Sequence, residues 1–234
     1  MKRSELESAG FDVSEVAYAR LARFVQLLLE ENEKLNLTAV HDEVEAWRVH
    51  VCDSLMLLPV VRSHNVRRLL DLGTGGGLPG LPLACVTGRV DVTLIDATRK
   101  KVVAVRHMIA RLGLDNARGV WGRAELLAHL PAYREQYEAV TARAVASLPV
   151  LLEYAAGFVR PRGHCWFFKS AAASGPEGAM AESAARACQL AYVDELPYRL
   201  RGEDEDRVLM HYSKVGKLGP DLPRRPGKPT KRPL

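Results

Sequence analysis

The chain is patterned in two registers. Between Val16 and Leu35 apolar residues recur at 21, 24, 25 and 28, the spacing of one helical face, and the pattern stops at Asn36-Leu-Thr38. A second helix is predicted over 42–58, ahead of Pro59. Beyond residue 60, short apolar runs alternate with longer amphipathic ones. Strands are predicted at 66–72, 90–96, 118–121, 137–142 and 164–168, with helices between them at 81–86, 98–112, 124–130 and 148–159. Such alternation predicts an α/β, Rossmann-like fold: a mostly parallel sheet with helices on both faces. Residues 170–178 are small and read as a loop, either a connector or a segment that orders over a ligand. A helix at 179–187 precedes strands at 188–198 and 207–212. The charged run 201–207 connects these two strands as a hairpin, so a seven-stranded sheet with an antiparallel edge strand is expected. The predicted organisation is a helical cap (1–60), an α/β core (61–214) and a tail (215–234).

The candidate chemistry is densest where the first strand ends. Asp71-Leu-Gly73-Thr74-Gly75-Gly-Gly77-Leu78-Pro-Gly80 is an acid followed by a glycine turn and a helix. Glycines there let the backbone approach a ligand without a Cβ in the way. Two cofactors fit the letters. Gly75-Gly-Gly77-Leu-Pro-Gly80 satisfies the dinucleotide pattern G-x-G-x-x-G, with Asp96 placed 21 residues beyond Gly75 for a ribose. Asp71 to Gly77 also fits acid-x-Gly-x-Gly-x-Gly, the form of an S-adenosylmethionine (SAM) site. Charge separates the two readings. A pyrophosphate would meet the Asp71 carboxylate at close range, whereas a methionine ammonium or sulfonium would be attracted to it. SAM is therefore the favoured cofactor. Asp96, ending the second strand, accepts ribose hydroxyls in either reading or caps the helix that follows.

The net charge of +5 is unevenly spread. Residues 214–234 hold seven Lys or Arg against the single acid Asp221, leaving 26 basic and 27 acidic residues in the body. With prolines at 220, 223, 226, 229 and 233, this tail is expected to be extended and disordered, suited to a phosphate backbone or to solvation alone. No apolar run approaches a membrane span and no signal pattern opens the chain, so neither membrane nor secretion is expected. Cys52, Cys85, Cys165 and Cys188 form no C-x-x-C pair; they read as reduced cytoplasmic thiols, with no metal site.

Other residues stand at places where open α/β sheets bind ligands. Arg123-Ala124-Glu125 follows the third strand, and Arg143 ends the fourth, where it would pair a carboxylate or an RNA phosphate. Arg48, His50, Asp53 and Ser54 lie within seven residues; His50 and Asp53, one helical turn apart, can pair. The cluster is either a substrate-side site or a polar anchor for the cap. Asn- or Asp-Pro-Pro-aromatic motifs are absent, which argues against amino-group methylation. So are Pro-Cys and Thr-Cys, which argues against attack on a pyrimidine carbon. An acceptor that is already nucleophilic remains, and guanine N7 qualifies because it loses no proton on methylation. Positioning, not a general base, is then what the protein supplies.

Taken in order, Asn36-Leu-Thr38, the Arg48…His50…Asp53-Ser54 cluster, the Asp71–Leu83 loop, Thr93-Leu-Ile-Asp96 and Thr141-Ala-Arg143-Ala-Val-Ala-Ser147 resemble a known family. It is the bacterial small-subunit rRNA guanine-N7 methyltransferase family, glucose-inhibited division protein B (GidB, also called RsmG). The resemblance runs from about residue 15 to 214, and the tail resembles actinobacterial endings. It implies SAM-dependent methylation of guanine N7 at position 527, in the 530 loop of 16S rRNA, by a cytoplasmic monomer acting on neither DNA nor membrane. It also implies that Gly73 and Leu78 line the SAM pocket, together with Asp71, Thr74, Gly75, Gly77 and Asp96. Ala124 and Glu125 would lie near the adenine and Arg143 beside the transferring end; Lys169, closing the fifth strand, would hold RNA. Two departures are visible. Ala97 stands where a serine is common, and 100–105 lacks the usual aromatic. A nicotinamide oxidoreductase and a SAM-binding assembly factor without turnover are the rival readings.

Overall fold

The computed structural model describes residues 1–234. Before the first strand come α1 (Arg3–Ser8), α2 (Glu15–Leu35), α3 (Glu43–Ala46), a π-helical turn (Trp47–Cys52), α4 (Asp53–Leu55) and α5 (Leu58–Ser63). Ser14 caps α2 by accepting from the Ala17 amide, and Asn36 ends it in the left-handed conformation. The helix predicted over 42–58 is thus interrupted. The widened turn puts one more residue into each backbone ring, and such turns recur at functional positions.

Alternating units follow: β1 (Arg68–Leu72), α6 (Gly80–Val86), β2 (Asp91–Asp96), α7 (Arg99–Leu112), β3 (Ala117–Trp121), α8 (Ala124–Leu127), β4 (Tyr137–Arg143), α9 (Leu148–Ala156) and β5 (Val159–Ser170). Then come α10 (Ala171–Ala187), β6 (Leu190–Arg199), β7 (Asp206–Lys214) and the short α11 (Lys228–Lys231). The seven strands lie in the order β3-β2-β1-β4-β5-β7-β6. β1 to β5 are parallel, and β7 runs antiparallel to both β5 and β6. The hairpin strand therefore inserts itself one place in from the edge, and β6 becomes the edge.

Period-two alternation divides the apolar side chains between two cores. Leu69, Val92, Leu94, Ala139, Trp166 and Leu209 face the cap, α6 and α7. Leu70, Leu72, Ile95, Val140, Phe167 and Met210 face α9 and α10. Because β1 is covered on both faces, its sequence Leu69-Leu70 is apolar at consecutive positions.

Two expectations fail. The small-residue segment 170–178 is not a loop; it forms the first turns of α10, with Pro176 inside the helix. Its alanines are strong helix formers, and Ser174, Ala181, Ala184 and Ala185 are buried there. Packing outweighs the breakers. The tail 215–234 is not disordered either. Leu218, Pro223 and Pro229 are buried in it. Arg134 donates to the carbonyls of Leu218, Gly219 and Leu222, and the His129 ring reaches the Pro223 carbonyl at 2.8 Å. Prolines remove backbone donors but not acceptors. An extended strap needs no internal hydrogen bonds, and Arg134 on the core supplies the donors from outside.

Candidate functional site

The glycine turn after β1 is held by its own amides. Thr74 donates its amide to the Ile95 carbonyl, and Gly77 and Leu78 donate theirs to the Thr74 carbonyl. Gly75 donates to Asp96 Oδ2 at 3.0 Å and Gly80 to Asp71 Oδ2 at 2.9 Å. Thr74 Oγ1 donates to the same Asp71 oxygen at 2.6 Å. A phosphate-binding turn keeps such amides free for the ligand. Here those of residues 75, 77, 78 and 80 are spent within the turn, so the dinucleotide reading loses its anion cradle.

Asp71 is fully buried behind the turn, where it ties Thr74 and Gly80 to the strand end, and it is not among the residues that line the cleft. Its Oδ1 has no hydrogen-bond partner. Desolvation pushes the carboxyl up to about 6, against the lowering effect of the Thr74 and Gly80 hydrogen bonds. Gly80 is required at this spot: a Cβ there would stand 2.7 Å from Asp71 Oδ2 and 2.8 Å from Leu94 Cδ2.

In front of the turn lies a narrow cleft of about 110 Å³, bounded by Gly73, Asp96, Gly122, Ala124, Glu125, Val145 and Tyr154 among others. Of the residues expected to hold the cofactor, Gly73, Asp96, Ala124 and Glu125 are brought together here. Thr74, Gly75, Gly77 and Leu78 instead shape the turn behind the wall. Gly73 adopts φ +68°, and a Cβ on it would meet Val145 Cγ2 at 2.7 Å, so the backbone must stay bare. Asp96 accepts from Gly75 with one oxygen and from Thr98 with the other, at 2.7 Å. It is therefore both helix cap and clamp on the turn. Each oxygen keeps a second lone pair for a hydroxyl donor.

Glu125 is held from three sides: Oε1 accepts from Arg123 at 3.2 Å, from the Tyr154 hydroxyl at 3.3 Å and from the amide of Gly227 in the tail at 2.9 Å. Its residue is buried; desolvation raises the carboxyl, but these donors outweigh it and hold it below the ordinary range. Tyr154, which lines the cleft, and Gly227, which holds Glu125, were invisible to motif reading, and Val145 lay in the Thr141–Ser147 run without a role; tertiary packing places all three, and no local spacing signals it.

An adenosine fits this donor set. Asp96 offers acceptors to a vicinal diol, and Leu72, Ile95 and Val145 supply apolar walls. The amides of Ala124 and Glu125 begin α8, where helix geometry leaves them without an intrahelical acceptor. Two carboxylates and no unpaired cation make the cleft hostile to a pyrophosphate.

The second cluster joins the cap to the sheet. Arg143, ending β4, donates to Asp53 Oδ2 at 2.7 Å and to the Val49 carbonyl at 3.0 Å, and lies 3.3 Å from His50 Nδ1. Asp53 Oδ1 accepts from the Tyr198 hydroxyl at 2.7 Å, with Arg207 at 3.6 Å. His50 and Asp53, which could pair by spacing, instead both converge on Arg143. A guanidinium can only donate, so His50 Nδ1 is the lone pair and Nε2–H points to Thr38 Oγ1 at 2.7 Å. Burial, then the Arg143 charge, lowers His50 to about 4. Arg143 does not line the cleft, and its charge is taken up by Asp53. Arg48 reaches the Gly202 carbonyl at 3.2 Å and Glu203 at 4.0 Å. Lys169 donates to the Ala146 carbonyl and to Glu177 Oε2, at 2.8 and 2.7 Å, which leaves its side chain only 11% exposed.

No helix is long and apolar enough to cross a membrane. All four cysteines are free and buried, and burial pushes Cys85, Cys165 and Cys188 up to about 12.

Comparison with known proteins agrees with this geometry. The family model GidB, "rRNA small subunit methyltransferase G", matches residues 17–203. "Ribosomal RNA small subunit methyltransferase G" of Pelotomaculum thermopropionicum is 36% identical over 96% of this chain and 94% of its own length. The protein of the same name from Moorella thermoacetica is 35% identical over 97% and 95%. Among solved structures, an O-methyltransferase from Bacillus cereus in complex with SAH superposes with a TM-score of 0.59 at 20% identity, over 82% of this chain and 90% of that one. A SAM-dependent methyltransferase from Aquifex aeolicus gives 0.54 at 13% identity, over 73% and 93%. With most of its length matched by the family model, and relatives above 30% identity along nearly all of it, the chain belongs to the GidB family of small-subunit rRNA methyltransferases.

Proposed function

We infer that this protein transfers the methyl group of SAM to N7 of a guanine in 16S rRNA, in the 530 loop at position 527. The observation that carries the reading is the glycine turn, most of whose amides are spent within it or on β2, while the cleft before it offers carboxylates to an adenosine. SAM supplies an electrophilic methyl on a sulfonium when bound. In this reading Asp96 accepts the ribose hydroxyls, and Ala124 and Glu125 flank the adenine edge. The bare backbone at Gly73 admits the methionyl end. Guanine N7 attacks with a lone pair, so no side chain has to remove a proton. What the protein contributes is alignment in a water-poor cleft.

The Asp53–Arg143–His50 network supports this by fixing the cap against the carboxyl end of β4, where one wall of the acceptor site would stand. RNA phosphates would meet the exposed Arg225, Lys228, Lys231 and Arg232 of the strap, which Gly227 anchors at Glu125. Lys169, tied to Glu177, serves RNA only if that pair opens. This reading places the protein in the cytoplasm, as a monomer on the small subunit.

Equilibrium binding tests the cofactor. SAM is expected to bind and NAD not to compete; Asp96→Ala is expected to weaken SAM by roughly 10- to 100-fold, the worth of hydrogen bonds to a charged acceptor. Tight NAD binding, or SAM affinity untouched by Asp96→Ala, would contradict the reading.

A further inference from the structure

At the amino-terminal side of the sheet, away from the cofactor cleft, three imidazoles converge. His64 follows α5, His164 lies on β5 and His211 on β7, where it is in register with Trp166. One ring nitrogen of each lies within 4.8 Å of one nitrogen of both others. His164 Nδ1 and His211 Nε2 are 2.9 Å apart.

The outer nitrogens are already committed. His211 Nδ1 lies 3.0 Å from Asp194 Oδ1 on β6, and His64 Nδ1 lies 2.9 Å from the Val60 carbonyl. A carboxylate and a carbonyl can only accept, so each Nδ1 carries the proton and each Nε2 keeps its lone pair. A carboxylate or carbonyl behind the far ring nitrogen is the arrangement that orients metal-bound histidines. Trp166 stacks on both His164 and His211, with centroids 5.3 and 5.2 Å away and interplanar angles of 18° and 25°. The ring planes are thereby held.

We propose that His64, His164 and His211 bind a first-row divalent metal ion, with zinc the ion that three imidazoles and an open position suit. Metal–nitrogen bonds of about 2.0–2.1 Å in a tetrahedron set nitrogens about 3.3 Å apart. Without an ion, His164 Nδ1–H donates to the His211 Nε2 lone pair, so metal binding shifts the His164 proton to Nε2 and opens the pair slightly to that spacing, while the exposed His64 supplies the remaining approach. Water takes the fourth position from the solvent side. The ion would clip the turn between α5 and β1 to the β5–β7 pair. None of these residues belongs to the cofactor cleft, so the site is independent of methyl transfer.

The test uses the full chain stripped with a chelator, then titrated with Zn²⁺ against a chromophoric competitor and, separately, with Co²⁺. One saturable equivalent of zinc is expected, and Co²⁺ should give the intense visible bands of tetrahedral coordination. His64→Ala, at an exposed position, is expected to remove the cobalt bands and weaken zinc at least tenfold. Asp194→Ala, whose side chain is 71% exposed, is expected to weaken zinc by about 10- to 100-fold through the loss of orientation. His107→Ala, at the separate His107–Glu31 contact, should change nothing. Absence of a saturable equivalent, or wild-type affinity in His64→Ala, would overturn the proposal.

Discussion

Removing one guanidinium tests whether the tail belongs to the fold. Arg224 meets Glu153 of α9 with Nε at 2.9 and 3.1 Å from its two oxygens and Nη2 at 2.5 Å, while the Arg224 amide adds a fourth bond at 2.7 Å. Glu153 is fully buried and the Arg224 side chain is 16% exposed, so solvent screening is small. In Arg224→Ala the carboxylate stays buried with only the backbone amide for a partner. Stranding a buried charge in this way costs about 3–5 kcal/mol. For a chain of this length each kcal/mol lowers Tm by roughly 2–4 °C, so a drop of about 6–20 °C is expected by calorimetry. The double variant Arg224→Ala/Glu153→Ala should recover part of the loss, because the stranded charge is gone; the cycle then isolates the pair. A tail that merely hangs in solvent would give no change in either. A Tm for Arg224→Ala within about 2 °C of the parent would refute the reasoning.

Other outcomes follow from the same geometry. His50 is lowered from 6.5 to about 4 in the fold, so the unfolded chain takes up its proton first. Its contribution is whole above pH 6.5 and is lost as pH falls toward 4, about 3 kcal/mol at 1.36 kcal/mol per unit. His50→Gln should flatten the stability–pH slope between pH 6.5 and 4 in urea titrations; an unchanged slope would rule out His50 as its source. For Asp71, both accepted hydrogen bonds fall on Oδ2 and the raised pKa marks the charge as unfavourable there. Asp71→Asn keeps an acceptor at that position and should leave stability within about 1 kcal/mol and SAM affinity within a few-fold. A loss of SAM binding by orders of magnitude would restore the direct ammonium contact.

Local features were legible and distant ones were not. The glycine turn, the acids ending β1 and β2 and the order of strands and helices follow from residues adjacent in the chain, and so does the cap helix ending at Asn36. Even there the burial of Asp71 and its bonds to Thr74 and Gly80 were not legible, because letters do not say on which side of a strand end a carboxylate lies. The Asp53–Arg143 pair spans 90 positions, and Tyr198 reaches Asp53 across 145. His50 and Asp53 have helical spacing, yet the stronger donor, Arg143, lies on another element and takes both. The tail was misread because composition counts a chain's own donors. It cannot count the donors that Arg134 lends to a proline-rich strap, nor the Glu153 carboxylate that accepts from its Arg224. The three histidines at 64, 164 and 211 have no shared motif at all; only the pairing of β5 with β7 brings two of them together.

The most direct measurement is to incubate the protein and labelled SAM with small subunits from cells lacking this gene, then map the product by cleavage at N7-methylguanine. The account predicts incorporation and a single stop at position 527, in the 530 loop of 16S rRNA. SAM bound without incorporation into subunits or naked 16S rRNA would contradict it and favour an assembly factor. A stop elsewhere would contradict the assigned acceptor.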